Sequence, residues 1–154
     1  MRWILKVYEY GKIESAEIEM APLTLFVGDN NSGKSYLMSL LWGIQNFGIS
    51  GLLGREEEEK SREEELLADW IRTQIRAAEE KRKHTIGVAE IADELQSVLN
   101  LKISRTKDNF VKRIFNSTDV KIKELKIELK ELEKISLTFE ISEVKDGKLL
   151  SVGN

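Results

Sequence analysis

The sequence predicts an α/β fold organised around a strand, a phosphate-binding loop and a helix, and three observations carry that prediction. Gly28-Asp-Asn-Asn-Ser-Gly33-Lys34-Ser35 matches the P-loop pattern G-x-x-x-x-G-K-[ST]. The run before it, Leu23-Thr-Leu-Phe-Val27, is aliphatic, aromatic and β-branched, the composition of a central strand buried on both faces. After it, Leu37, Leu40, Leu41 and Ile44 recur at i, i+3, i+4 and i+7, one stripe of an α-helix. Strand, loop and helix therefore come in the order that phosphate binding requires.

Length and composition set the frame. The 154 residues suit one domain, taken here as residues 1–154, with enough chain to bury a core. Charged residues make up 33%, and no apolar stretch approaches the roughly 18 residues that a membrane span needs. The N-terminal MRWILKVYEYGK is too short and too interrupted by Lys6 and Glu9 for a secretory signal, so a cytoplasmic location is expected. Without cysteine there is no disulfide framework, thiolate metal site or cysteine nucleophile. A net charge of −3 gives the chain no overall basic field to draw in nucleic acid.

Taken in order, Trp3, Leu5 and Val7 alternate with Ile4, Lys6 and Tyr8, and Ala16, Ile18 and Met20 alternate with Glu17 and Glu19. With Gly11-Lys12 as the turn, residues 2–10 and 13–20 read as an antiparallel hairpin ahead of the P-loop strand. Pro22 directly precedes that strand, where a missing N–H does no harm. The P-loop helix is expected to end near Asn46 to Gly48, followed by a flexible glycine-rich and acidic connection over 49–65. Arg55 to Glu65 reads as a solvated run, either a loop or the exposed start of a helix. A helical insertion is expected over 66–118. Leu67, Trp70, Ile71, Ile75 and Ala78 mark one helix ending in the basic Lys81 to His84; Val88 to Leu99 marks a second, and Lys107 to Phe115 a third. Lys121 to Lys134 is ambiguous between heptad spacing, which favours a helix, and the alternation of Leu125, Ile127 and Leu129, which favours a strand. Ile135, Leu137, Phe139 and Ile141 then alternate, and Asp146-Gly147 turns the chain into Leu149 to Val152, a C-terminal hairpin.

The loop's chemistry is anion capture before it is catalysis. Backbone N–H groups from Asn31 to Tyr36, with the positive end of the following helix, suit phosphate oxygens. Gly28 and Gly33 allow the backbone to turn and approach closely. Lys34 would contact the β- and γ-phosphates, and the Ser35 hydroxyl would ligate Mg²⁺. Asp29, Asn30, Asn31 and Ser32 mainly supply backbone, with the Asn31 side chain also within reach of a triphosphate. Hydrolysis needs more, in many P-loop enzymes an Asp at the end of an apolar strand, and no such run follows the loop. Ser136-Leu-Thr-Phe-Glu140 ends in Glu but reads as a sheet surface. His84, in its basic run, reads as solvent-exposed, and Gln45, Gln74 and Gln96 have no assignable role.

The N-terminal hairpin followed by LTLFVGDNNSGKSYLMSLLWGI, with Asn30-Asn31-Ser32 in its loop, resembles the start of ABC-type ATPases of the SMC, RecF and OLD-like group, often described as AAA-family ATP-binding proteins. The resemblance is specific over residues 1–48. It implies a P-loop NTPase-like partial ABC-ATPase lobe, with an antiparallel hairpin before the P-loop strand, inserted helices and C-terminal antiparallel strands, and it favours strand for Lys121 to Leu129. It further implies ATP and Mg²⁺ as cofactors, self-association or a second ATPase chain closing the site, and DNA or an effector nuclease as partner. The sequence shows no signature motif, Asp-Glu strand or switch histidine, and so resembles the N-terminal half of such an ATPase. The expected function is an ATP-binding module that completes hydrolysis with a further segment or chain. A non-catalytic assembly or regulatory subunit acting through its helices is the alternative. A stand-alone P-loop kinase or GTPase ranks last, because the antiparallel opening fits poorly and no N-K-x-D sequence occurs.

Overall fold

The computed structural model describes residues 2–53, 61–144 and 147–153. In chain order these form β1 (Trp3–Tyr10), β2 (Ile13–Met20), α1 (Lys34–Leu53), α2 (Arg62–Lys81), β3 (Lys83–Gly87), α3 (Ala92–Phe115), β4 (Ile122–Leu129), β5 (Ser136–Val144) and β6 (Gly147–Gly153). The protein is α/β with antiparallel strand pairing. It comprises two compact units, Met1–Glu58 with Leu99–Lys130, and Glu59–Val98 with Glu131–Asn154. Among the described residues no helix is long and apolar enough to cross a membrane.

The first unit holds the sheet β2-β1-β4. The expected hairpin forms, with Trp3 opposite Met20 and Tyr10 opposite Ile13. Leu5 and Val7 are buried, while Lys6 on the other face reaches Glu128 at 2.8 Å and Glu17 at 3.5 Å. Strict alternation would bring Glu9 inward. Glu9 instead takes φ 45°, the alternation slips by one residue, and Tyr10 joins the core. Leu40, Ile44 and Leu52 from α1 and Ile103, Phe110 and Val111 from α3 pack in the same cluster as Leu5, Val7, Leu125 and Ile127. The β4 segment is a strand because β1 offers it a paired edge, Trp3 opposite Leu129 and Tyr10 opposite Ile122, that its helical spacing cannot match. A single 3₁₀ turn, Leu132–Lys134, follows it.

Two expectations are corrected in this unit. Leu23–Val27 belongs to neither sheet, and Leu23, Leu25 and Val27 are 77%, 77% and 89% exposed. A central strand is buried only when strands flank it, and the described sheets, β2-β1-β4 and β3-β5-β6, give it no neighbour. The helix after the loop does not end at Gly48 but breaks there, at φ 67° and ψ 175°, and resumes to Leu53, so residues 49–53 of the expected connection are helical. Burial of Leu52, whose carbonyl accepts a hydrogen bond from the Thr106 hydroxyl, accounts for the added turn.

In the second unit, residues 54–60 of the acidic run lie outside the described residues. Its remainder opens α2 through a capping box: the Ser61 hydroxyl accepts from the Glu64 N–H and the Glu64 carboxylate accepts from the Ser61 N–H. Lys81 ends α2, Arg82 turns the chain at φ 61°, and Lys83 and His84 enter a strand rather than a helix tail. That strand pairs with β5, Lys83 opposite Glu140, and β5 pairs with β6. Asp146 of the expected turn lies outside the described residues. The two helices read from Val88 to Phe115 are one helix, α3, after a short 3₁₀ turn at Ala89–Ile91. No glycine or proline interrupts that stretch, and the hydroxyl of buried Thr106 also lies within hydrogen-bonding distance of the Lys102 carbonyl one turn back.

Candidate functional site

Lys34 is the first residue of α1, and its side chain folds back across the loop. The ammonium donates to the Gly28 carbonyl at 2.6 Å, to the Asp29 carbonyl and to the Ser32 hydroxyl at 3.0 Å. All three acceptors are neutral. The turn is closed by the Ser32 N–H to the Asp29 carbonyl at 3.4 Å, and the helix begins with the Tyr36 and Leu37 N–H groups on the Gly33 carbonyl. Asn31 carries a positive φ of 71°, which asparagine tolerates better than most residues.

The β1–β2 turn grips this loop through four consecutive residues. The Tyr10 hydroxyl donates to the Tyr36 carbonyl at 3.1 Å, and the two rings meet edge to face at 5.7 Å. Burial pushes the Tyr10 hydroxyl well above the ordinary tyrosine range, so it stays a neutral donor. A Cβ on Gly11 would lie 2.7 Å from the Tyr36 ring, and one on Gly33 would lie 2.5 Å from Ile13 Cγ1. Gly33 is therefore required for contact with the hairpin as well as for the turn. Between them, Lys12 Nζ donates to Asn31 Oδ1 at 2.5 Å.

A cavity of about 340 Å³ opens here, lined by Asn30 to Tyr36 and by Lys12 from the hairpin. Of the residues expected at the site, Gly28 and Asp29 are not on its wall and instead lend their carbonyls to Lys34. Among the described residues no carboxylate lines it. Two ammonium groups without a carboxylate suit a polyphosphate. Ser35 is exposed and presents one hydroxyl at this wall, a group that could ligate a divalent cation. A larger open hollow of about 510 Å³ beyond the turn is of mixed charge, lined by Glu9, Glu14 and Asp119 together with Lys12 and Lys121.

Two other sequence candidates, Glu140 and His84, lie in the second unit. Glu140 is exposed on β5, a sheet surface as read. His84 is half-buried rather than solvent-exposed, because its Nε2 meets the Oε1 of buried Gln74 at 2.9 Å. The hairpin residues Tyr10, Lys12 and Ile13 were not readable as parts of the site. Only the Gly11-Lys12 turn signal was visible, and nothing local in sequence ties it to residues some twenty positions on.

The α/β fold and the loop ahead of α1 are compatible with a P-loop ATPase-like domain. A family model described as the AAA ATPase domain matches residues 4–148, and the chain belongs to that family. It is a nucleotide-binding ATPase module, which bears out the resemblance carried by the hairpin and the loop. No curated protein and no solved structure matches the chain.

Proposed function

We propose that this chain binds MgATP through Gly28 to Ser35 as a module of an SMC/RecF/OLD-like, ABC-type ATPase, and that hydrolysis uses groups from a further segment or a partner chain. One observation carries the reading: the Lys34 ammonium is held only by neutral oxygens, beside a cavity whose described lining has no carboxylate. Phosphate oxygens outcompete carbonyls for such a cation, since hydrogen bonds between two charged partners are about twice as strong as neutral ones. Lys34 moves its donors from Gly28 and Asp29 to the ligand, and the first turn of α1 adds its dipole. Ser35 holds Mg²⁺, which neutralises phosphate charge when bound. Among the described residues the cavity lining offers no carboxylate to hold that ion or to act on water, so binding here runs ahead of chemistry.

The exposed run Leu23–Val27, directly ahead of the loop, supports completion by another strand-bearing segment, because unpaired apolar backbone gains from being paired and covered. The proposed partner is a second copy or a second ATPase chain; DNA or an effector nuclease follows from the resemblance alone. Titration calorimetry with MgATP tests the binding. Wild type is expected to bind and Lys34→Ala to lose binding. Equal binding by both, or none by wild type, would sink the reading and favour an assembly subunit acting through its helices.

A further inference from the structure

Four strands form the edges of the two described sheets: β2 and β4 in one, β3 and β6 in the other. Unpaired N–H and C=O groups along an edge invite pairing with another chain, and folds blunt them with charge, shortness or a cover. Three of the four edges are guarded in this way. β2 carries Glu14, Glu17 and Glu19, and full-length antiparallel pairing with its own copy would set Glu14 against Glu19. At β4 the Asn100 side chain already takes an edge donor, its Oδ1 accepting from the Ile127 N–H at 3.0 Å. β3 is only five residues long and begins with Lys83 and His84. β6 has none of these devices. Its one charged residue is Lys148, and among the described residues no strand lies beside its outer edge. Leu149, Leu150 and Val152 are all exposed. Leu150 stands opposite Ile141 and Val152 opposite buried Phe139, so these two carry the apolar face of β5 out to the edge, while Leu149 projects from the other face. A strand added here gains backbone pairing and apolar contact on both faces.

We propose that β6 is a self-pairing edge through which two copies of this chain join antiparallel, extending the sheet β3-β5-β6 into that of the second copy. Charge selects a second copy as the occupant. Full-length antiparallel pairing of residues 147–153 places Leu150 on the two-fold axis, Leu149 opposite Ser151 and Lys148 opposite Val152. The two Lys148 positions then stand about 14 Å apart at roughly 3.4 Å per residue, beyond the screening length of about 8 Å, and each lysine stem lies along a valine. No like charges meet, and the symmetric contact closes at two copies. The pairing is independent of the nucleotide-binding reading above.

The chain has no cysteine, so single cysteines read the register cleanly. Leu150→Cys, on the axis, is expected to cross-link into a dimer under a mild oxidant, because directly opposed positions hold their Cβ atoms about 4.5–5.5 Å apart. Lys148→Cys, off the axis, and Glu140→Cys, exposed on the central strand, should cross-link far more slowly. Sedimentation velocity is run in the background Leu25→Lys, Val27→Lys, which removes the exposed run ahead of the P-loop. There the chain should still dimerise as concentration rises, and adding Leu150→Lys, which opposes two ammonium groups, should weaken dimerisation about tenfold with an unchanged melting temperature. Cross-linking of Glu140→Cys or Lys148→Cys as fast as that of Leu150→Cys overturns the edge pairing. So does a monomer at every concentration in that background, or dimerisation that Leu150→Lys leaves untouched.

Discussion

Glu128 accepts hydrogen bonds from Lys130 and Lys6, and these hold its carboxyl at about 2, below the ordinary 4.5. A depressed folded-state value means that the group's stabilisation is fully present above about 4.5 and is lost as pH falls towards about 2. Thermal midpoints measured from pH 7 down to 2.5 should therefore fall less steeply in Glu128→Gln than in wild type; parallel curves would remove the carboxylate from the account. At Tyr10 the expected effect is different. Tyr10→Phe keeps the ring and loses the hydrogen bond to the Tyr36 carbonyl, at a cost of about 1 kcal/mol in denaturant unfolding. Single residues also mark where sequence reading stops. Lys34 was legible because its neighbours in the chain are its neighbours in the loop, whereas His84 was misread because Gln74, on a different element, decides its exposure.

At the scale of elements, α1 shows how one residue reshapes a helix. Gly48 sits at φ 67° and ψ 175°, a conformation essentially confined to glycine. Gly48→Ala is expected to destabilise the chain by about 1–3 kcal/mol in urea unfolding. An unchanged midpoint would mean that the break is not needed to bring Leu52 into the core. The glycine-rich stretch was readable as an interruption, but its continuation to Leu53 was not, because burial of Leu52 and the hydrogen bond from Thr106 depend on α3. The segment Lys121 to Lys134 makes the same point from the other side. Its two periodicities were both real, and pairing with β1 chose between them.

For the molecule as a whole, the hairpins and the loop were legible because alternation, turn residues and the P-loop spacing are local. The exposure of Leu23–Val27 was not, since burial of such a run depends on which strands stand beside it. Their exposure carries a consequence for solution behaviour: an uncovered apolar run is a site for association. Sedimentation velocity should show concentration-dependent association of the wild type that falls in the double variant Leu25→Lys, Val27→Lys. A variant that associates as strongly as wild type would move the contact elsewhere.

The grip of Tyr10 to Ile13 on the loop couples the hairpin to the cradle: a ligand that binds the loop in this shape stabilises the contacts that hold the shape, and loosening those contacts weakens the ligand. The amides of Gly11 and Ile13, which bear on the site through side chains and ring contacts rather than through the P-loop itself, thereby become reporters of occupancy. Their hydrogen exchange should slow when MgATP binds, so that a three-stranded antiparallel sheet registers what happens at a phosphate.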